Sequence, residues 1–116
     1  MPFIRLETNV TICEDTRFAL MRDLTKIVST VLEKPKEYVM VSFAEVSLMM
    51  DAEHDPPAAF IELRSIGALS SQSISDLSAQ LTASLEDRIA VRRSRVFLNF
   101  TDMSATHWGW QGEPFA

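Results

Sequence analysis

The apolar positions along the chain switch between two periods. Phe3-Ile4-Arg5-Leu6-Glu7 alternates, with Ile4 and Leu6 on one face and Arg5 and Glu7 on the other, the pattern of a half-buried strand. From Asp15 to Glu33 the spacing becomes three and four, through Phe18, Met21, Leu24, Ile27, Val28, Val31 and Leu32, and this predicts a helix that Pro35 stops. A second strand is expected over Tyr38 to Phe43. The order then begins again. Phe60-Ile61-Glu62-Leu63-Arg64 alternates, and a second helix starts at Ser70 or Ser71, both good N-cap residues. It carries Ile74, Leu77, Leu81, Leu85 and Ile89, ends before Arg92-Arg93, and leads to a last strand over Val96 to Phe100.

The two halves share one offset. Phe3 to Glu7 matches Phe60 to Arg64, and 60 − 3 = 57; Val39 to Glu45 matches Val96 to Asp102, and 96 − 39 = 57. Two separated segments with the same offset indicate a duplicated unit. The reading is therefore an α/β fold of one domain, residues 1–116, with pseudo-repeats over about 2–50 and 59–107. A helix of this length permits a right-handed crossover between parallel strands. The duplicated β-α-β unit gives a four-stranded mixed sheet with two helices on one face. Arg5, Glu7, Glu62 and Arg64 share the opposite face and can pair by sign. Tyr38 to Phe43 and Val96 to Phe100 carry apolar residues on both faces, so the uncovered side of the sheet needs a partner. Another copy of the chain is the simplest supplier.

Composition removes whole classes of function. With 47% hydrophobic residues, the 116-residue chain can build a core without disulfides, and Cys13 is its sole cysteine. A net charge of −5 argues against broad attraction to nucleic acid or an anionic membrane. No run approaches the ~18 apolar residues of a membrane span. The first residues read as strand and not as a signal peptide, so a cytoplasmic protein is expected.

Several residues could carry chemistry, and each also has an ordinary explanation. Met1 before proline is a residue normally removed, which would leave Pro2 with a secondary α-amine; α-amines titrate at about 7.7–8.0, within reach of general-base work. Lys34 falls at the end of the first helix, where a cation suits the helix dipole. Ser65-Ile66-Gly67 reads as a strand-to-helix turn that could also leave a backbone N–H free. Asp51-Ala52-Glu53-His54-Asp55 has no second histidine or cysteine nearby and reads as a solvated loop, so no metal is expected. His107 receives no role, Asp102 is the repeat partner of Glu45, and Cys13 reads as a small apolar or capping residue. Trp108, Trp110 and Phe115 sit among glycines in the tail. They suit an oligomer contact, an aromatic pocket wall, or both.

Taken in order, Met1-Pro2-Phe3-Ile4, Thr8-Asn9-Val10, Lys34-Pro35 with Tyr38, Ser65-Ile66-Gly67, Arg95-Val96 with Asn99, Asp102-Met103, Gly109-Trp110 and Phe115-Ala116 resemble the macrophage migration inhibitory factor family. That family includes phenylpyruvate and D-dopachrome tautomerases, and the resemblance runs from end to end. It implies a barrel-like homotrimer, sheets inward around a channel and helices outside, with active sites at subunit boundaries. It also implies that Pro2, freed of Met1, shuttles a proton between carbon and the enol. Lys34 would bind the substrate carboxylate and help keep the proline neutral, and the Ile66 N–H would hold the same end. Asn99 would come from a neighbouring chain. Phe3, Tyr38, Trp110 and Phe115 would form the aromatic surroundings, with Arg64 and Ser65 at the entrance.

The chain departs from the family pattern at three places. Phe97 stands where well-known members have a tyrosine, Trp108 fills a position often held by a smaller aliphatic residue, and Ala58 and Ile61 replace a Cys-x-x-Cys pair found in some animal members. The implied activity is cofactor-free keto–enol tautomerisation of a small aromatic 2-oxo acid of the phenylpyruvate type. A cytokine-like signalling or ligand-binding protein with the same pocket is the alternative, as is a related proline-based dehalogenase, hydratase or decarboxylase.

Overall fold

A computed structural model describes residues 1–116. The element order is β1 (Phe3–Thr8), α1 (Glu14–Leu32), β2 (Met40–Glu45), β3 (Ala59–Ser65), α2 (Ser71–Ile89), β4 (Val96–Asp102), and a short ribbon of β5 (Gly109–Trp110) and β6 (Glu113–Pro114). The sheet order is β2-β1-β3-β4. The outer pairs β1/β2 and β3/β4 are parallel, and the central pair β1/β3 is antiparallel. This is the expected α/β fold with a four-stranded mixed sheet. No helix is long and apolar enough to cross a membrane.

The offset of 57 recurs in the element bounds: α1 and α2 begin at Glu14 and Ser71, 71 − 14 = 57, and end at Leu32 and Ile89, 89 − 32 = 57. Both helices end on a non-glycine residue in the left-handed region, Glu33 at φ 54° and Ala90 at φ 56°. In each, that residue's N–H bonds back to a carbonyl of the last turn. A single 3₁₀ turn follows in both halves, Lys36–Tyr38 and Arg93–Arg95.

Alternation sets the core. Ile4 and Leu6 of β1, Ile61 and Leu63 of β3, and Leu20, Leu24, Val28, Leu77, Leu81 and Leu85 of the helices are fully buried in one cluster between sheet and helices. Each such side chain contributes roughly 1.5–3 kcal/mol by leaving water. Across the helices, the Arg88 Nε donates to Asp23 Oδ2 at 2.7 Å. On the opposite face of the sheet Arg5 lies across from Glu62 in the antiparallel register, and its Nη2 donates to Glu62 Oε2 at 2.6 Å. That guanidinium holds the Glu62 carboxyl below its ordinary range.

Three expectations need correction. Tyr38 does not open the second strand: Pro35 starts a 3₁₀ turn, closed when Tyr38 N–H bonds to Pro35 O at 3.0 Å, and β2 begins at Met40. The doubly apolar character of the outer strands is confined to their first residues. On the uncovered face Met40 is followed by Ser42 and Ala44, and Phe97 by Asn99 and Thr101; Met40 is 57% and Phe97 53% exposed. Cys13 occupies the N-cap of α1 but makes no side-chain cap, and it is exposed, with Sγ 3.2 Å from Thr16 Oγ1.

The loop from Val46 to Ala58 is held from outside itself. Arg95 reaches four of its carbonyls, Pro57 O at 2.9 Å, Pro56 O at 3.1 Å, Glu53 O at 3.4 Å and Met50 O at 3.5 Å. Asn9 adds side-chain bonds to His54 O, Pro56 O and Ala58 N. The loop's acidic residues and His54 are exposed.

Ser70 is the N-cap of α2. Its hydroxyl accepts from Ser73 N–H at 3.0 Å, and Ser73 Oγ accepts from Ser70 N–H at 2.8 Å, a reciprocal cap. Replacing Ser70 by alanine therefore removes about 1 kcal/mol, and the thermal midpoint falls by roughly 3–6 °C. Ser71→Ala, inside the first turn, shifts it by much less. Equal melting curves for the two variants would show that the cap contributes nothing.

Candidate active site

The first strand delivers the start of the chain to a corner of the sheet. Phe3 pairs with Met40 on one side and Arg64 on the other. Pro2 lies just before it, buried, with its carbonyl accepting from Met40 N–H at 3.1 Å. A proline there costs no ladder bond, because the first residue of a strand has no N–H obligation that the sheet must meet. The backbone on both flanks thus fixes where the chain's first atoms sit.

Those atoms line a cavity of about 390 Å³. Pro2, Phe3, Arg64, Trp108 and Trp110, named from sequence, meet there. Met1, Met40, Met103, His107 and Gly109 join them. No carboxylate is among the lining residues, and the walls are largely thioether and aromatic. Trp110 stacks on Phe115 with ring centroids 5.9 Å apart and planes within 2°. The Phe115 N–H bonds to Trp108 O at 3.0 Å, so the tail folds back and holds the indole wall.

The terminal amine, here on Met1, has its pKa held below the ordinary value, first by burial and then by the charge of Lys34. Lys34 does not line the cavity. Its Nζ donates to Ile66 O at 3.5 Å, next to the turn after β3. The two residues that the resemblance assigns to one carboxylate are thus neighbours, and the lysine's charge reaches the amine.

The turn itself is tightly held. Gly67 at φ 72° and Ala68 at φ 66° are consecutive left-handed residues. The Gly67 N–H bonds to Asp102 Oδ1 at 3.0 Å, and Ala68 O accepts from Ser73 Oγ at 2.9 Å. Ser65 is not at an entrance: it is fully buried, and its hydroxyl donates to Gly67 O at 2.9 Å. Its part is to shape the turn. Asp102 gains a function beyond its repeat echo, since its carboxylate holds this turn.

The other expected residues lie apart from the cavity. Tyr38 is in the 3₁₀ turn after α1; Phe97 and Asn99 are exposed on β4, at the far edge of the sheet. Sequence reading missed Met40, Met103 and His107 as wall residues. The signal for Met40 was present, because 97 − 40 = 57 makes it the repeat partner of Phe97, a large apolar residue at the same place in the other half.

A duplicated β-α-β sheet with its terminal residue set in an aromatic corner cavity is the α/β architecture of the tautomerase superfamily. The profile of the macrophage migration inhibitory factor (MIF) family matches residues 1–116, and the chain belongs to that family. It is 31% identical over 117 residues to macrophage migration inhibitory factor of Xenopus tropicalis, covering 100% of each chain. Among solved structures it is similar to that of Toxoplasma gondii, with TM-score 0.92 and 29% identity over 97% of this chain and 99% of the other. A homologue from Prochlorococcus marinus gives TM-score 0.91 and 27% identity, covering 98% and 99%. Membership supports a role of the tautomerase/MIF type.

Ala68 is the residue whose backbone the turn strains, since a side chain in the left-handed region costs about 1–2 kcal/mol. Ala68→Gly relieves that strain, less about 0.4–1 kcal/mol of extra freedom in the unfolded chain. A net rise in stability of about 0 to 1.6 kcal/mol in urea denaturation is expected on those figures. A loss would show that Ala68 makes contacts outweighing its strain.

Proposed function

We propose that this protein is a keto–enol tautomerase for arylpyruvate-type 2-oxo acids, with the Pro2 amine as base and acid once Met1 is removed. The observation that carries this reading is the terminal amine in an apolar cavity, its pKa lowered by burial and by Lys34. A neutral amine takes the proton from C3 of the substrate. The C–H electron pair becomes the C2–C3 double bond, the C=O π pair moves onto oxygen, and that oxygen takes a proton from water to give the enol, which gives it back to water on the reverse path. The reverse path returns the proton from the prolinium to C3. No electrons are gained or lost, so the reaction needs no cofactor.

Lys34 and the Ile66 N–H are assigned to the substrate carboxylate, and Phe3, Trp108 and Trp110 to its ring. Asn99, Phe97, Tyr38 and Phe115 would enter the site through assembly. The exposed Met40 and Phe97 and the charged stripe on the uncovered sheet face support a homotrimer with sites at subunit boundaries. Light scattering is then expected to give three times the 13.1 kDa chain mass. A stable folded monomer contradicts this assembly.

The assay that tests the chemistry uses protein confirmed by mass spectrometry to lack Met1. It should ketonise phenylpyruvate enol, and Pro2→Gly should lose most of the rate, since glycine gives a mobile primary amine in place of a fixed secondary one. Protein retaining Met1 should be silent, because an amide nitrogen is not a useful base. An undiminished rate in Pro2→Gly removes Pro2 from the mechanism. Saturable binding of phenylpyruvate without turnover would favour the ligand-binding alternative.

A further inference from the structure

Arg64 lines the cavity, and its guanidinium donates no hydrogen bond to the rest of the chain. Its nearest acid is Glu62 Oε2 at 3.8 Å, beyond hydrogen-bond distance, and Arg5 already holds that oxygen at 2.6 Å. The other arginines on ordered partners differ. Arg88 donates two bonds to Asp23, and Arg95 donates to four carbonyls. The Arg64 side chain is 46% exposed, opens into the cavity, and has five N–H donors and no acceptor closer than that shared oxygen.

The cavity therefore offers more positive charge than a simple arylpyruvate can use. Lys34 lies outside the lining, against Ile66 O, while Arg64 lies inside it, at the strand position opposite Phe3. With one carboxylate assigned to Lys34 and the Ile66 N–H, Arg64 in the cavity is left for a second anionic group. No acid lines the cavity to neutralise the guanidinium, and His107 adds a second polar group beside the indoles. Phe3, Trp108 and Trp110 line the same cavity as Arg64 and offer aromatic surface to a planar ring.

Building on the tautomerase reading, we propose that Arg64 recognises a second carboxylate, and that the preferred ligand is an aromatic 2-oxo acid bearing an acidic group on its ring. Arg64 acts in binding and specificity and takes no part in the proton transfer. A planar guanidinium meets a carboxylate with two parallel N–H···O bonds, a pairing that a hydroxyl or a bare ring edge cannot make.

The test compares 4-carboxyphenylpyruvate with phenylpyruvate on Met1-free protein. The wild type should favour the diacid in kcat/KM by about tenfold or more, the range expected for a charge-assisted bond at a half-buried site. Arg64→Gln should bring the ratio to about one, because it loses far more kcat/KM on the diacid than on phenylpyruvate, and Arg64→Lys should restore part of it. High salt should compress the wild-type preference. A wild-type ratio near one overturns the proposal. So does an equal loss for both acids in Arg64→Gln, which would make Arg64 the anchor of the one shared carboxylate. Quenching of Trp108 and Trp110 fluorescence supplies binding constants that need no catalysis. If neither acid is turned over, tighter binding of the diacid to wild type than to Arg64→Gln still supports Arg64 recognition and sinks only the tautomerase reading; equal binding overturns it.

Discussion

The antiparallel pairing of β1 with β3 joins the two halves of the sheet, and the position of every functional group follows from its register. Ile4 lies opposite Leu63 and Leu6 opposite Ile61, all buried against the helices, while Arg5 lies opposite Glu62 on the other face. A slip of either strand by one residue would turn its two core side chains outward and bury its charged ones, so the register is held by both faces at once. The same register puts Phe3 beside Arg64 and Pro2 beside the end of β3. There the chain turns through Ile66, Gly67 and Ala68 towards α2. Terminal amine, guanidinium and turn are brought together by that one ladder.

Duplication explains the scaffold, and divergence explains why only one corner is a cavity. With an offset of 57, the counterpart of Pro2 is Ala59, of Lys34 is Val91, of Arg64 is Glu7 and of Trp110 is Glu53. Val91 is a fully buried core residue. At the second corner the chain arrives through the loop from Val46 to Ala58, which Arg95 and Asn9 tie down. At the first corner Met1, Pro2 and Phe3 line the space, and the C-terminal ribbon walls it through Gly109 and Trp110.

Much of the fold was legible because local patterns and tertiary structure agree. The periods of Ile4 to Leu6, Leu77 to Ile89 and their partners named the strands and helices within a residue or two. Tyr38 was misplaced because Pro35 and the 3₁₀ turn it starts leave no mark in hydrophobic periodicity. Of the candidate site, the residues near the chain start and the indoles were readable, while Met40, Met103 and His107 were not, since side chains from four separate segments meet there only through the sheet register and the ribbon. Ser65 was misread for a related reason. A serine after a strand looks exposed in sequence, but here its hydroxyl closes the turn from inside.

An amine at this corner has its pKa lowered, by burial first and by the charge of Lys34 second. For a base, both causes act against the protonated form, so both lower the pKa. The direct measurement is an NMR titration of Met1-free protein carrying ¹⁵N-proline at position 2, in the wild type and in Lys34→Ala. The Pro2 nitrogen should titrate below the ~7.7–8.0 of an ordinary α-amine, and the value should rise when Lys34 is removed. A Pro2 pKa at or above the ordinary range, unmoved by Lys34→Ala, would contradict the account.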